Sequence, residues 1–151
     1  MAIRIDGKAV SAHLREELTE QIRDFSARTG ITPGLAVVLV GEDPASAVYV
    51  RNKHLACKEV GIRSDVYTLP AETTEEELLT LLSRLNDDDA IHGILVQLPL
   101  PKHISEEKVI HTIRPDKDVD AFHPQNVGRI MLGNYNFLPC TPAGVMELLR
   151  Y

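Results

Sequence analysis

An unbroken run of apolar residues at 35–40 constrains the fold of this chain more than any other feature. A strand without polar alternation is covered on both faces, as in a parallel sheet between two layers of helices. Residues 62–69 and 91–96 predict two further strands, and helical periodicity fills the intervals. The sequence therefore predicts an α/β fold, a mostly parallel sheet with helices on both faces in three layers.

The predicted helices have clear boundary signals. Apolar residues recur at helical spacing over 8–30, where Gly30 supplies a stop. Thr74 and Glu77 form a capping box before a leucine-lined helix. Shorter helices are expected near 105–113 and 125–131, while 46–53 is compatible with another.

The C-terminal segment predicts a helix without an end. Thr141 would cap it, Pro142 would take its first position, and no stop signal follows before Tyr151. We therefore expect a chain cut at a domain boundary.

Composition excludes several classes of partner. The 151 residues, 44% hydrophobic and 25% charged, are typical of a globular domain with a core of its own. The net charge of -6, without clusters of Lys or Arg, argues against nucleic acid and anionic membranes as partners. No stretch has the length of a membrane span or the pattern of a secretion signal, so a cytoplasmic location is expected.

Cysteine and histidine spacing predicts neither a redox motif nor a metal site. Cys57 and Cys140 are distant in sequence and form no CxxC pair, so both are expected to be buried or inert thiols. The six histidines show no HxxH or HExxH spacing, and we therefore expect no metal.

Tyr49 and Lys53 are the first candidate functional residues. At spacing (i, i+4) in a helix, an aromatic ring and an ammonium are surface neighbours, and a flat ligand on the ring would meet the lysine at its edge. Gln97 closes the third predicted strand, where Pro99 and Pro101 end the ladder. Ligands bind beyond the carboxyl ends of parallel strands, so these side chains could face one crevice.

Four motifs, in order, resemble the bifunctional methylenetetrahydrofolate dehydrogenase/cyclohydrolase family, and the opening IDGKAV at 5–10 resembles its first helix. The motifs are SAVYVRNK at 46–53, GILVQLPLP at 93–101, RPDKDVDAFHP at 114–124 and PCTPAGV at 139–145.

This resemblance implies two reactions of one-carbon metabolism, a supply route to purine biosynthesis. They are the NADP-dependent oxidation of 5,10-methylenetetrahydrofolate to the 5,10-methenyl form and hydrolysis of that product to 10-formyltetrahydrofolate. It also implies a folate-binding catalytic domain at 1–139, with 140–151 starting the helix into an NAD(P)-binding domain. No GxGxxG turn occurs in this chain, so the chain would contribute no cofactor-binding residue and the other domain would bind NADP. The intact protein would be a homodimer, formed largely through that domain, and this chain alone a monomer.

The resemblance also implies roles for individual residues. Lys53 would be catalytic, near the carbon bridging N5 and N10 of the folate, and Gln97 would hydrogen-bond Lys53 and orient it. The residues implied to bind substrate include the stacking ring of Tyr49 and the carboxylate of Asp120, which would accept two hydrogen bonds from the pterin edge. The others are Ser46, Val96 and Leu98.

The loop around Asp120 departs from the family pattern at one position. The family has glycine after this aspartate, and this chain has Ala121. A positive φ there would shift the loop and put pterin binding in doubt, whereas a negative φ would make the methyl harmless. Asp118 is predicted to be a solvated loop residue or a capping acid.

Two other functions fit part of the pattern. Short-chain dehydrogenases also have Tyr-x-x-x-Lys, but they need a glycine-rich turn after the first strand, where this chain has Gly41-Glu42-Asp43-Pro44. A chain that binds folate or a partner subunit without catalysis is the non-enzymatic alternative.

Overall fold

The structure, a computed structural model, describes residues 5–150, and this part of the chain contains three strands and six helices. The strands are β1 (Gly34–Val40), β2 (Arg63–Leu69) and β3 (Gly93–Val96). The helices are α1 (Gly7–Thr29), α2 (Pro44–Val60), α3 (Glu75–Asp87), α4 (Glu106–Thr112), α5 (Pro124–Met131) and α6 (Cys140–Arg150). Residues 1–4, which begin the predicted folate-binding domain, and residue 151, which ends the predicted segment 140–151, lie outside the described residues.

The three strands form one parallel sheet in the order β2-β1-β3. Gly34 is opposite Arg63 at the start of the β1–β2 pair, and Leu35 is opposite Gly93 at the start of the β1–β3 pair. β1 is thus the central strand, which explains its unbroken apolar sequence. The predicted α/β fold with a parallel sheet is confirmed.

Alternate side chains of β1 enter two separate cores. Ala36, Val38 and Val40 belong to a cluster that includes Leu78, Leu82 and Leu85 of α3 and Val109 of α4. Val37 and Leu39 belong to a second cluster that includes Val50 of α2. Successive strand residues point to opposite faces, so helices cover both sides of the sheet, as predicted.

Most helix boundaries follow the local signals. Gly30 ends α1 with φ 70°, and the Thr74–Glu77 capping box begins α3, as predicted. The prediction that Thr141 caps the last helix is wrong, because α6 already begins at Cys140. The Ala143 N–H donates to the Pro139 carbonyl at 3.1 Å, and this bond closes a helical turn before the expected cap.

The loop after α4 lies against the edge of β3. Ile94 N donates to the Lys117 carbonyl at 2.7 Å, and Ile94 forms an isolated parallel bridge with Asp118. Gly93 permits this approach, since a Cβ at that position would lie 2.5 Å from the Val119 side chain. The loop therefore extends the sheet by one short pairing and places residues 118–120 near the carboxyl end of β3.

Lys117 fixes the start of this segment. Its side chain is buried, and its Nζ donates to the carbonyl oxygens of Leu85, Asn86 and Asp88 at 3.2, 2.7 and 2.8 Å. Carbonyls at a helix C-terminus lack partners within the helix, so an ammonium there satisfies them and offsets the negative end of the dipole. The contact joins the loop to the end of α3.

None of the helices within residues 5–150 is both long and apolar enough to cross a membrane.

Candidate active site

A cavity of about 550 Å³ opens at the carboxyl end of the sheet. It brings together six residues singled out from the sequence, which are Tyr49, Lys53, Val96, Gln97, Leu98 and Asp120. They come from α2, from the end of β3 and its continuation, and from the 118–120 segment. Parallel strands direct their carboxyl ends to one edge of the sheet, so residues distant in sequence meet there.

Lys53 and Gln97 are in direct contact. Lys53 Nζ donates to Gln97 Oε1 at 3.1 Å, and Gln97 Nε2 donates to the Leu98 carbonyl at 2.8 Å. The second bond orients the glutamine amide so that its oxygen faces the lysine. Lys53 is only partly exposed, and the contact holds its amine at the cavity rather than in bulk solvent.

Tyr49 lies one helical turn before Lys53 and is 61% exposed. Its ring therefore offers an open aromatic face at the mouth of the cavity. Flat conjugated ligands gain free energy on such a face through offset stacking.

Asp120 faces Lys53 across the cavity as the acidic group of the site. Burial raises the pKa of the Asp120 carboxyl, the Lys53 ammonium acts in the opposite direction, and the neighbouring Asp118 raises it further. The cavity therefore contains a desolvated carboxyl beside a cation. The carboxylate can accept hydrogen bonds from a polar ligand edge, and the ammonium can donate them.

Ser46 differs from the other predicted site residues because it does not line this cavity. It is buried in the first turn of α2, where its backbone N–H donates to Asp43 Oδ2 at 2.7 Å. That hydrogen bond, with a second from the Ser46 side chain, lowers the pKa of Asp43. In this structure Ser46 and Asp43 together begin the helix that carries Tyr49 and Lys53.

The opposite wall of the cavity contains residues to which sequence reasoning assigned no role. They are Phe122, Pro139, Cys140, Thr141 and Pro142. Four of these belong to the PCTPAGV motif, from which sequence reasoning took only the resemblance and the start of a helix. That motif was the signal that could have placed them in the site.

The two cysteines occupy different environments. Cys57 is buried, whereas Cys140 is an exposed residue, so of the two expectations for Cys140 only that of an inert thiol remains. Desolvation of its thiol raises the pKa of Cys140, and the nearby charge of Asp120 adds to this effect. A raised thiol pKa lowers the thiolate fraction and with it the nucleophilicity.

Asp118 is buried at 4% exposure, so of the two expectations the solvated loop residue is wrong. The expectation of a capping acid is closer, because its carboxylate accepts from the N–H of His123, the N-cap residue of α5. Ala121 has φ 56°, and within residues 5–150 it is the only non-glycine residue with a positive φ. The conformation considered unfavourable for alanine is thus the one present, yet Asp120 lines the cavity with Lys53.

Within residues 5–150, no three His, Cys, Asp or Glu side chains come together as a group that could hold a metal ion.

The fold and this cavity define the chain as an α/β domain with a polar site at the carboxyl edge of its parallel sheet. Residues 5–120 match the family model described as "Tetrahydrofolate dehydrogenase/cyclohydrolase, catalytic domain". The chain belongs to this family, as the sequence resemblance indicated.

Individual relatives agree with this assignment. The chain is 63% identical to the bifunctional protein FolD of Geotalea daltonii over 99% of its own length and 53% of that protein. The crystal structure of the FolD methylenetetrahydrofolate dehydrogenase/cyclohydrolase from Campylobacter jejuni superposes with a TM-score of 0.92 at 54% identity, over 97% of this chain and 52% of that one.

A more distant structure comes from Trypanosoma brucei. This N5,N10-methylenetetrahydrofolate dehydrogenase-cyclohydrolase, in complex with NADP cofactor and inhibitor, gives a TM-score of 0.94 at 41% identity, over 99% of this chain and 51% of that one. The chain spans about half the length of the relatives that it matches.

Proposed function

We propose that this chain carries the folate site of an enzyme that oxidises 5,10-methylenetetrahydrofolate with NADP and hydrolyses the 5,10-methenyl product to 10-formyltetrahydrofolate. The observation that carries the proposal is the hydrogen bond between Lys53 and Gln97 in a cavity shared with Asp120 and Tyr49. Family membership and the names of the relatives support the same reactions.

The residues divide the work of binding between them. The pterin edge presents adjacent N–H groups, to which the Asp120 carboxylate accepts two parallel hydrogen bonds. The Tyr49 ring stacks on the flat part of the folate. Val96 and Leu98 flank Gln97 and supply apolar wall on either side of the reacting carbon.

Lys53 carries out the proton transfers of the hydrolysis. Water attacks the amidinium-like carbon between N5 and N10, and the carbon–N5 bond then breaks to leave a formyl group on N10. Of the two protons of the attacking water, one is transferred to N5 and the other is released to solvent. Lys53, held by Gln97 beside that carbon, can accept the first proton when its amine is uncharged, and as an ammonium it can return that proton to N5. In the oxidation, the cofactor accepts a hydride from the methylene carbon, and the chain's own part is to hold that carbon in place.

The turn after β1 does not fit a dinucleotide phosphate. A phosphate site at the start of a helix needs free N–H groups, but after β1 the Asp43 carboxylate accepts from the Ser46 N–H at 2.7 Å. The proposal therefore places NADP on residues beyond this chain, and the same contact argues against a short-chain dehydrogenase.

The proposal extends to the organisation of the whole protein. Residues 1–139 form the folate-binding catalytic domain, and residues 140–151 start the helix that leads into the NADP-binding domain. We propose that the whole protein is a cytoplasmic homodimer assembled mainly through that other domain, with no nucleic acid or membrane as a partner.

The test is the decay of 5,10-methenyltetrahydrofolate absorbance with the purified chain and no nicotinamide cofactor. We expect at most weak decay above the uncatalysed rate, because the nucleotide-binding domain that completes the folate crevice is not part of this chain, and any such decay should disappear in Lys53→Ala. Lys58→Ala is the matched control, because Lys58 lies in the same helix, is exposed and does not line the cavity.

Each outcome has a distinct meaning. Decay that survives in Lys53→Ala contradicts the catalytic role of this lysine. Binding of tetrahydrofolate by calorimetry without decay supports the alternative of a folate-binding chain without catalysis. Absence of both decay and binding refutes a competent folate site in these residues.

A further inference from the structure

The side chain of Asp118 attaches the loop that contains Asp120 to helix α5 through hydrogen bonds. Its Oδ2 accepts from the His123 N–H at 2.8 Å and from Asn126 Nδ2 at 2.9 Å. These donors come from the N-cap and the first turn of α5. Because the carboxylate is buried and the donors are fixed by a helix, the contact holds the loop in one position.

Asn126 ties a second point of the same loop. Its side chain is 2% exposed, and Nδ2 also donates to the Pro115 carbonyl at 2.8 Å. One amide group therefore joins residues on both sides of Lys117 to α5. Removing it would leave the partly buried Pro115 carbonyl and the buried Asp118 carboxylate each one donor short.

Asp118 and Asp120 are the first and third residues of one turn, which the Ala121 N–H closes by donating to the Asp118 carbonyl at 3.2 Å. Both acids line a small cavity of about 20 Å³ that shares part of its lining with the main one. The left-handed Ala121 ends this turn directly after Asp120. The position of Asp120 is thus set within a tight turn whose first residue is anchored to α5.

We propose that Asp118 and Asn126 are positioning residues that hold the Asp120 carboxylate opposite Lys53 in the folate site. This inference rests on the proposed function, and it adds a support that acts through Asp120 without touching the substrate. A displacement of the Asp120 carboxylate by a fraction of an ångström weakens its hydrogen bonds to a ligand. Loss of the contacts of Asp118 and Asn126 should therefore lower ligand affinity through Asp120.

A double-mutant cycle on tetrahydrofolate affinity, measured by calorimetry on the 151-residue chain, tests the proposal. We expect Asn126→Ala and Asp120→Asn each to weaken binding by about tenfold, the equivalent of one or two good hydrogen bonds. In the Asp120→Asn background, Asn126→Ala should change the affinity by less than about twofold, because its effect passes through Asp120.

Two further variants separate positioning from general stability. Asp118→Asn keeps an oxygen that can accept from His123 N and Asn126 Nδ2, so its affinity should stay within about threefold of the unmutated chain. Asn86→Ala is the matched control, since Asn86 is a buried asparagine whose side chain bonds the backbone of Thr112 and Arg114. It should lower stability, as Asn126→Ala does, without the loss of affinity.

The outcomes distinguish the inference from the function on which it rests. An unmutated chain that does not bind tetrahydrofolate overturns both. Binding that Asn126→Ala leaves intact, or losses that multiply fully in the double variant, overturn the positioning role alone. If Asn126→Ala does not fold, Asn126→Ser keeps one donor at the site, and the same cycle with that variant decides the question with a smaller expected loss.

Discussion

Ala121→Gly provides a measurable test of the loop conformation on which the site depends. Ala121 is 1% exposed and has φ 56°, whereas Ala36 is equally buried, in β1, with a φ outside the positive range. The same substitution at both positions therefore removes the same methyl from two different backbone conformations. The difference between them measures the cost of the left-handed conformation.

Three contributions set the expected free energies of unfolding. Glycine costs about 0.5–1 kcal/mol in backbone entropy relative to alanine, and a lost buried methyl costs about 0.8 kcal/mol, so Ala36→Gly should destabilise the chain by about 1.5 kcal/mol. At Ala121 the same losses are offset by relief of about 1–2 kcal/mol of left-handed strain. Ala121→Gly should therefore change stability by less than about 1 kcal/mol.

Urea denaturation of the two glycine variants, followed by circular dichroism, measures this difference. Ala121→Val adds a second check, because a β-branched residue in a left-handed conformation should cost more than about 2 kcal/mol. Equal destabilisation by the two glycine substitutions, or a valine that is tolerated at 121, would refute a strained Ala121.

Two further predictions concern buried charge. Lys117→Met should destabilise the chain by about 3 kcal/mol in urea denaturation, because it removes the donors to the carbonyls of Leu85, Asn86 and Asp88; a loss below about 1 kcal/mol would contradict it. Asp120→Asn should raise the melting temperature at pH 7, because burial raises the pKa of Asp120 in the folded chain. Between the pKa of the unfolded chain and that of the folded chain, the folded chain retains a proton that the unfolded chain releases, so stability falls as the pH rises. The two melting temperatures should converge at about pH 3, where the carboxyl is protonated in both states, and a variant less stable at pH 7 would contradict this sign.

The sheet and most helices were predictable because their signals are local. The unbroken apolar sequence of β1 identifies the central strand, and the Thr74–Glu77 capping box marks the first turn of α3. Both signals depend on residues close together in sequence, where spacing alone determines which side chains meet. The start of α6 was missed by two residues because Pro139 supplies the first acceptor, a backbone feature without a characteristic side chain.

The candidate site was predictable in part, for a related reason. Tyr49 and Lys53 share a helix face by spacing, and Gln97 follows from the end of a strand. Asp118 was misinterpreted because its environment depends on Asn126 in another element, and an aspartate between polar residues has no sequence signal of burial. Motif resemblance identified Asp120, since local periodicity does not distinguish between the acids of an irregular loop.

The departures from ordinary structural preference concentrate in one short segment of the chain. Asp118 is a buried carboxylate, Asp120 is a desolvated carboxyl, and Ala121 adopts a conformation that alanine disfavours. A loop selected for stability alone would place an amide at 120, and Asp120→Asn should reveal the stability that the carboxyl costs. The contacts of Lys117 and Asn126 hold the segment in place despite these costs. The free energy that these contacts contribute therefore stabilises a loop that places the Asp120 carboxylate in the cavity with Lys53.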